Sequence, residues 1–365
     1  MTLMSLGDAF LLNPYVPLPK GTVVPFVEMG ALRPFTRDVT TTTKKAYTGG
    51  TKFLDGDVLM ARITPSLENG KTSIYRAALG EVGPAFGSTE FIVVRGREGI
   101  SDSHFAYYLI TSTEVRDHAI ASMNGSSGRQ RVQHDSLASY EVDLPPIDEQ
   151  RAIAATLGAL DDKIESNRRL RQIVWDLLAA EYNQLAVGSA LVEIRQLLGL
   201  EYGRSLSADK RMPGKVPVYG SNGITGYHDR ELIPGPGIIL GRKGSIGEVH
   251  WTHGASFPID TTFYVSPRSG YPLLACYFTL KSAGLRNKNS DSAIPGLNRD
   301  TALGVRVPAP PKSVACAWSE RREALLDYVD HIERESAGLA SLRDALLPEL
   351  MSGRIRVPEA DEVLV

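Results

Sequence analysis

Three stretches of the chain carry residue types that could do chemistry. Pro65-Ser66-Leu67-Glu68-Asn69-Gly70-Lys71-Thr72 ends in the Gly-Lys-Thr of a phosphate-binding P-loop. In such a loop backbone N–H groups wrap the phosphates. The pattern needs Gly where Pro65 stands, and Pro has no N–H and a fixed φ, so no nucleotide site is expected. Asn13-Pro14-Tyr15 falls one Pro short of the Asn-Pro-Pro-Tyr motif of amino-methyltransferases. No Gly-rich loop suited to S-adenosylmethionine lies at a suitable distance, so it reads as a turn. His250 and His253 are close, but no Cys or second pair completes a zinc shell. There is no His-Glu-x-x-His, no Gly-x-Ser-x-Gly and no acidic cluster flanking a Lys. The expectation is a chain without a catalytic centre, a metal site or a cofactor of its own.

The loops point to binding instead. Residues 64–71, 126–131, 219–227 and 241–247 mix Gly, Ser, Asn and Arg or Lys. Gly lets backbone approach a ligand closely. Ser and Asn bond phosphates or base edges, and Arg contacts guanine bidentately. The candidate DNA contacts are Arg62, Thr64, Ser66, Asn69, Lys71, Ser126, Ser127, Arg129 and Arg131 in the first half. In the second half they are Tyr219, Ser221, Asn222, Tyr227, Arg242, Lys243, Ser245, Asn298 and Arg299. The competing reading is a set of turns with exposed polar residues.

Net charge is -2, which at first argues against nucleic acid, but the distribution is uneven. Residues 1–144 carry 14 Lys+Arg against 15 Asp+Glu, and residues 191–311 carry 14 against 9. Residues 145–190 carry 5 against 7, and residues 312–365 carry 7 against 11. Only the third quarter has the basic excess that phosphate contacts favour. Hydrophobic content of 42% is globular, and no apolar run is long enough to span a membrane. Met1 to Pro19 does not read as a signal peptide, and two cysteines make no disulfide framework. A reducing cytoplasm is the expected compartment.

The elements that must position these loops follow from a repeat. Residues 131–146 align with 296–311 at an offset of 165: Asp135 meets Asp300, Val142 meets Val307, and Pro145-Pro146 meets Pro310-Pro311. Upstream, residues 56–62 resemble 236–242, each a short apolar strand ending at an Arg, and Gly83–Phe86 resembles Gly254–Phe257. A long helical pattern follows each Pro-Pro. From Asp148 to Leu185 the apolar seam is Ile153, Leu157, Leu160, Ile164, Val174, Leu178 and Leu185, interrupted by Asn167, Arg171 and Glu181. From Ser319 to Met351 it is Leu325, Val329, Ile332, Leu339, Leu346 and Leu350, interrupted by Ser336 and Arg343, with Pro348 expected to kink or fray the last turn. About 40 residues make a helix about 60 Å long, more than one domain covers. The expected fold is therefore two α/β (α+β) domains with two long helices packed as an antiparallel coiled coil, an internal pseudo-twofold repeat. The boundaries are 1–144 and 191–311 for the domains, 145–190 and 312–353 for the helices, and 354–365 for a tail.

Residues 144–154 (Leu-Pro-Pro-Ile-Asp-Glu-Gln-Arg-Ala-Ile-Ala) and 160–170 resemble the central conserved region of the specificity subunits of type I restriction-modification enzymes. Residues 60–71, 216–223 and 241–247 resemble segments of that family's target-recognition domains, and residues 346–353 resemble its C-terminal end. The start of the distal helix, Trp318-Ser319-Glu320-Arg321-Arg322, departs from the family pattern seen at 145–151. The resemblance implies a non-catalytic DNA-specificity subunit. Each domain would read one half of a bipartite, asymmetric site on double-stranded DNA. The helix pair would set the gap and dock two methyltransferase subunits. Those partners would bind S-adenosylmethionine, and a motor/endonuclease subunit would bind ATP and Mg. The alternative is a non-catalytic protein-interaction scaffold with two ligand-binding α/β domains.

Overall fold

The computed structural model describes residues 1–126, 128–287 and 296–357. The chain divides into two compact units, Met1–Ser166 with the segment from Glu335 onward, and Asn167–Arg334. In the first unit the strands are β1 (Thr2–Ser5), β2 (Phe10–Leu12), β3 (Val23–Val27), β4 (Asp38–Val39), β5 (Lys44–Ala46), β6 (Thr51–Phe53), β7 (Val58–Ala61), β8 (Thr72–Tyr75), β9 (Ala85–Gly87), β10 (Phe91–Gly96) and β11 (Glu141–Leu144). Its helices are α1 (Leu6–Ala9), α2 (Ser103–Thr111), α3 (Thr113–Ala121), α4 (His134–Ala138) and the start of α5 (Ile147–Ala186). The second unit takes the rest of α5, then β12 (Leu191–Glu193), α6 (Ile194–Leu197), β13 (Leu198–Tyr202), β14 (Val216–Gly220), β15 (Gly223–His228) and β16 (Gly237–Gly241). It continues with β17 (Val249–Thr252), β18 (Phe257–Pro258), β19 (Thr262–Pro267), α7 (Leu273–Ser282), α8 (Arg299–Leu303), β20 (Arg306–Pro308), α9 (Lys312–Glu320) and α10 (Glu323–Met351), the last returning to the first unit.

The two units share one sheet plan, with fewer strands in the second. The main sheet runs β2-β10-β7-β8-β4 in one and β13-β19-β16-β17 in the other. The second sheet runs β5-β3-β9-β6 and β15-β14-β18, with β3/β9 and β14/β18 both parallel. A two-stranded tie, β1/β11 or β12/β20, joins start to end in each. Single backbone bonds recur at matched residues. The Leu6 N–H donates to the Tyr140 carbonyl at 2.8 Å, and the Ile194 N–H to the Val305 carbonyl at 3.0 Å. Tyr140 and Val305 are separated by the same 165 residues as the aligned Pro-Pro turns.

Local sequence explains the buried elements. β7 and residues 91–94 of β10 are apolar on both faces and wholly buried, as inner strands covered on two sides must be. α2 is buried from Phe105 to Ile110 and is capped by Asp102, whose carboxylate accepts the His104 and Phe105 N–H groups. Asn298 caps α8 in the same way through Asp300 and Thr301.

α5 matches the expected proximal helix almost end to end. The distal helical segment begins at Lys312, the expected boundary, but it breaks at Arg321–Arg322, inside the pattern that reads as continuous from Ser319. The cause is one acceptor. The Glu181 carboxylate takes the Trp318 indole N–H at 2.9 Å and the Arg322 guanidinium at 2.7 and 2.6 Å. Trp318 is buried against Tyr182 and Phe278, and the turn after α9 brings Arg322 to the same carboxylate. Pro348 does not end α10, which runs one turn further and buries Leu350 in the first unit's core.

Within each unit the long helices run antiparallel. Asp161 pairs with Arg343 at 2.6 Å and Lys163 with Glu335 at 3.2 Å in the first. In the second, the Asn167 amide donates to the Ile332 carbonyl at 3.5 Å and Arg171 pairs with Glu333 at 3.0 Å. The seam residues divide between two cores. Ile153, Leu157 and Leu350 pack with Phe105 and Tyr108; Val174, Leu178 and Val329 pack with Phe263 and Phe278. Leu346 lies half-buried against the first core, Leu325 and Leu185 against the second, and Leu160, Ile164 and Leu339 are half-buried. No helix of the described residues is long and apolar enough to cross a membrane.

Leu178 is fully buried where α5 meets the second core. Leu178→Ala is expected to cost about 2–5 kcal/mol of stability, measured by denaturant unfolding, whereas Leu177→Ala, on the exposed face, is expected to change it by less than about 0.5 kcal/mol.

Candidate nucleic-acid interface

In the first unit the β7–β8 loop and the 124–132 turn are sewn together by backbone. The Val132 N–H donates to the Arg62 carbonyl at 2.8 Å and the Thr64 N–H to the Gln130 carbonyl at 3.0 Å. The Thr64 hydroxyl accepts the Gln130 N–H at 3.1 Å. Arg62, Thr64, Ser66, Asn69, Lys71, Ser126, Arg129 and Arg131 therefore belong to one loop cluster; Ser127 lies outside the described residues. Asn69, Ser126 and Arg129 are exposed at its tip, and the others are half-buried. Arg131 is committed to Glu90, donating Nε at 2.9 Å and Nη2 at 2.7 Å. Those hydrogen bonds hold the Glu90 carboxyl below the usual carboxylate range against the opposing effect of burial. Lys71 donates to the Met29 carbonyl at 3.3 Å.

The P-loop resemblance has no cradle behind it. The N–H groups of Ser66 and Leu67 go to the Ile63 carbonyl, that of Asn69 to Pro65, that of Gly70 to Leu67 and that of Lys71 to Ser66. The loop closes on itself and leads into a strand, so these groups do not point at a phosphate. The Asn13-Pro14-Tyr15 turn reading holds: Asn13 has φ 50, and it exchanges bonds with Val93 at 2.7 and 2.9 Å. His250 lies 3.2 Å from the Ser221 carbonyl and His253 faces Glu333, two separate settings.

The second unit builds the same cluster from different side chains. The Leu297 N–H donates to the Arg242 carbonyl at 2.8 Å, the counterpart of the Val132–Arg62 bond at the aligned residues. The Arg242 N–H goes to Thr261, as that of Arg62 goes to Glu90. Ser245 donates to the Asn222 side chain at 3.3 Å, tying the β16–β17 loop to the turn of the β14–β15 hairpin. Ser221, Asn222, Arg242, Lys243, Ser245 and Arg299 thus meet around one loop cluster. Tyr219 is half-buried on the hairpin beside His250, its hydroxyl pushed up to about 12 by burial, while Tyr227 is exposed further along β15. Asn298 is occupied as the α8 cap.

Two aromatic residues of these clusters were not among the sequence candidates. Tyr202, at the end of β13, lies under two guanidinium groups, Arg242 at 5.0 Å and Arg299 at 5.4 Å. Phe35 is exposed at φ 51, with Arg116 5.6 Å from its ring, and it leans over Gly70, where a Cβ would come within 2.5 Å of the ring. The only sequence signal was an aromatic beside a turn. The partners lie far away in the chain, which is why spacing could not find them.

The family model described as "Type I restriction modification DNA specificity domain" matches residues 17–174 and 187–315. The chain is similar to the specificity subunit of the type I restriction enzyme EcoEI of Escherichia coli, 34% identical over 117 residues, 32% of this chain and 19% of that one. The match therefore spans about a fifth of that relative's length. A putative type I specificity subunit of Mycoplasma genitalium is 24% identical over 283 residues, covering 68% of this chain and 70% of the relative. The crystal structure of a type I restriction-modification system S subunit from M. genitalium has the same fold, with a TM-score of 0.53 at 19% identity, over 98% of this chain and 96% of that one.

The Glu90–Arg131 pair gives the first cluster a defined pH response. Glu90 has its folded pKa depressed, so its contribution is present above the unfolded carboxylate pKa and is lost as pH falls through the folded one. Amide-exchange protection of Arg131 and Val132 is expected to hold from neutral pH down through the usual carboxylate range and to fall below it. In Glu90→Gln that acid-dependent step should disappear.

Proposed function

Because the chain belongs to the family of type I restriction-modification DNA specificity domains, we propose that it is a DNA-specificity subunit whose two units each read one half of a bipartite site. The carrying observation is the duplicated loop cluster. The same backbone bond, Arg62 to Val132 and Arg242 to Leu297, supports a tip rich in Arg, Lys, Ser and Asn in each unit. The shared frame favours two equivalent docking poses, and the different side chains favour two unlike half-sites. Arg242 and Arg299, each held over the Tyr202 ring, are suited to a base edge, because a guanidinium presents a planar fork of donors. Lys243 and Arg129 are suited to phosphates as exposed cations.

The side chains at the clusters supply recognition, and no acid–base pair or activated nucleophile is built among the described ones. Adenine methylation would then fall to docked methyltransferase subunits holding S-adenosylmethionine, and ATP-driven cleavage to a motor subunit holding ATP and Mg. The two antiparallel helices are the proposed spacer and dock.

Co-expression with a type I methyltransferase subunit, followed by mapping of N6-methyladenine, is expected to give one two-part motif of fixed spacing. Loss of all methylation and of salt-sensitive DNA binding would overturn the reading. Lys243→Ala should reduce the salt slope of binding by about 1 while leaving the motif intact, whereas Arg242→Ala should relax the motif at one position at a cost of about 1–3 kcal/mol. Deleting one heptad from each long helix should shorten the gap and leave both halves unchanged; an unchanged gap refutes the spacer role.

A further inference from the structure

In the first unit the edge of the main sheet is closed by the chain itself. β4 lies parallel to β8, and the N–H groups of Ile74 and Arg76 donate to the carbonyls of Arg37 and Val39 at 2.6 and 2.8 Å. Arg37 then crosses to α5, where Nη1 donates to the Gly158 carbonyl at 2.9 Å and Nη2 reaches Asp162 as well as Asp38. Only 11% of its side chain is exposed.

The second unit has no counterpart of β4: among the described residues its main sheet ends at β17. The antiparallel ladder, phased by the Gly241 N–H bond to the Glu248 carbonyl, turns the N–H groups of Trp251 and His253 toward that open edge. Trp251 corresponds to Ile74 in strand register, and His253 to Arg76. Asp327 of α10 stands 165 residues after Asp162, the offset of the repeat. Between strand and helix lies an open groove of about 370 Å3, whose walls include Trp251, His253, Leu274, Glu323 and Asp327. Two buried polar atoms of the wall, Trp251 Nε1 and Ser319 Oγ, have no hydrogen-bond partner among the described residues.

The charges of the wall select an occupant. Its ionisable groups are His253, Glu323, Asp327 and Asp330, with no Lys or Arg. Asp330 is taken by Arg334 and His253 faces Glu333, while Glu323 and Asp327 carry no ion pair among the described residues. Such a wall repels a phosphate backbone and attracts a guanidinium. An edge with two outward N–H groups accepts an extended peptide.

We propose that this groove is a docking site for an extended, arginine-bearing peptide segment of a partner protein. The segment adds as a parallel strand to β17 and sets its guanidinium on Asp327, as Arg37–Val39 does on β8 and Asp162 in the first unit. The proposal is independent of the DNA reading.

The test uses the full-length protein and a synthetic peptide copying Pro34–Thr43 of this chain as probe, followed by calorimetry and tryptophan emission. Saturable binding is expected. It should weaken at least tenfold when the peptide carries Arg37→Glu or the protein carries Asp327→Lys, and recover when the two changes are combined. His253→Pro removes an outward N–H at an edge position where Pro is tolerated, and should weaken binding at least tenfold relative to His253→Ala, which loses the same side chain and keeps the N–H. No saturation at millimolar peptide, equal binding of the Arg37→Glu peptide, or equally tight binding of free arginine amide would each overturn the proposal. No DNA enters the assay, so this proposal and the DNA reading fail separately.

Discussion

A helix of 40 residues with one apolar stripe must find cover along its whole length, and that requirement organises the chain. α5 meets it by joining two cores. Ile153 and Leu157 are buried among Phe105, Tyr108 and Leu350, and Val174, Leu178 and Tyr182 among Phe263, Phe278 and Trp318. Each fully buried side chain of this size stabilises by roughly 1.5–3 kcal/mol. Within each unit the stripe is therefore covered by that unit's core and by the facing helix. Asp161 shows how a buried charge there is matched. Asp161, almost fully buried, accepts from Tyr108 at 2.7 Å and from Arg343 at 2.6 Å. Burial opposes the charge on Arg343, yet the Asp161 and Asp344 carboxylates hold its proton more firmly than usual.

The frame of the two loop clusters rests on backbone bonds, and this lets the two halves diverge. A bond from the Val132 N–H to the Arg62 carbonyl, or from Leu297 to Arg242, is indifferent to what the side chains are. The same is true of the parallel β3/β9 and β14/β18 pairs. Side chains at the tips can change without moving the frame. In one unit an Arg is pinned to a Glu; in the other two Arg share a Tyr.

Divergence also appears away from the tips. Arg37 closes the sheet edge of the first unit, and its charge survives burial because Asp38 and Asp162 both accept from it. The second unit leaves the matching edge of β17 open beside acidic α10 residues. Among the described residues, one half thus has a self-satisfied edge and the other an edge without its strand.

Much of this was legible in the residues. The Pro-Pro turns at an offset of 165, the apolar strands ending at Arg62 and Arg242, and the heptad seam of α5 announced a duplicated α/β architecture with long helices. Local period and turn chemistry are written in adjacent residues, so they can be read there. The break at Arg321–Arg322 was not, because it depends on Glu181, 141 residues away from Arg322, accepting from two donors at once. Nor were the roles of the candidate contacts. Arg131, Asn298 and Arg129 looked alike in sequence, and only the fold ties the first to Glu90, makes the second a helix cap and leaves the third exposed. By itself the sequence determined the repeat, the length of the proximal helix and the missing backbone N–H at Pro65. The tertiary structure decided which cations are already satisfied and which sheet edge is closed, because ion pairs and strand neighbours are contacts between distant residues and carry no local period.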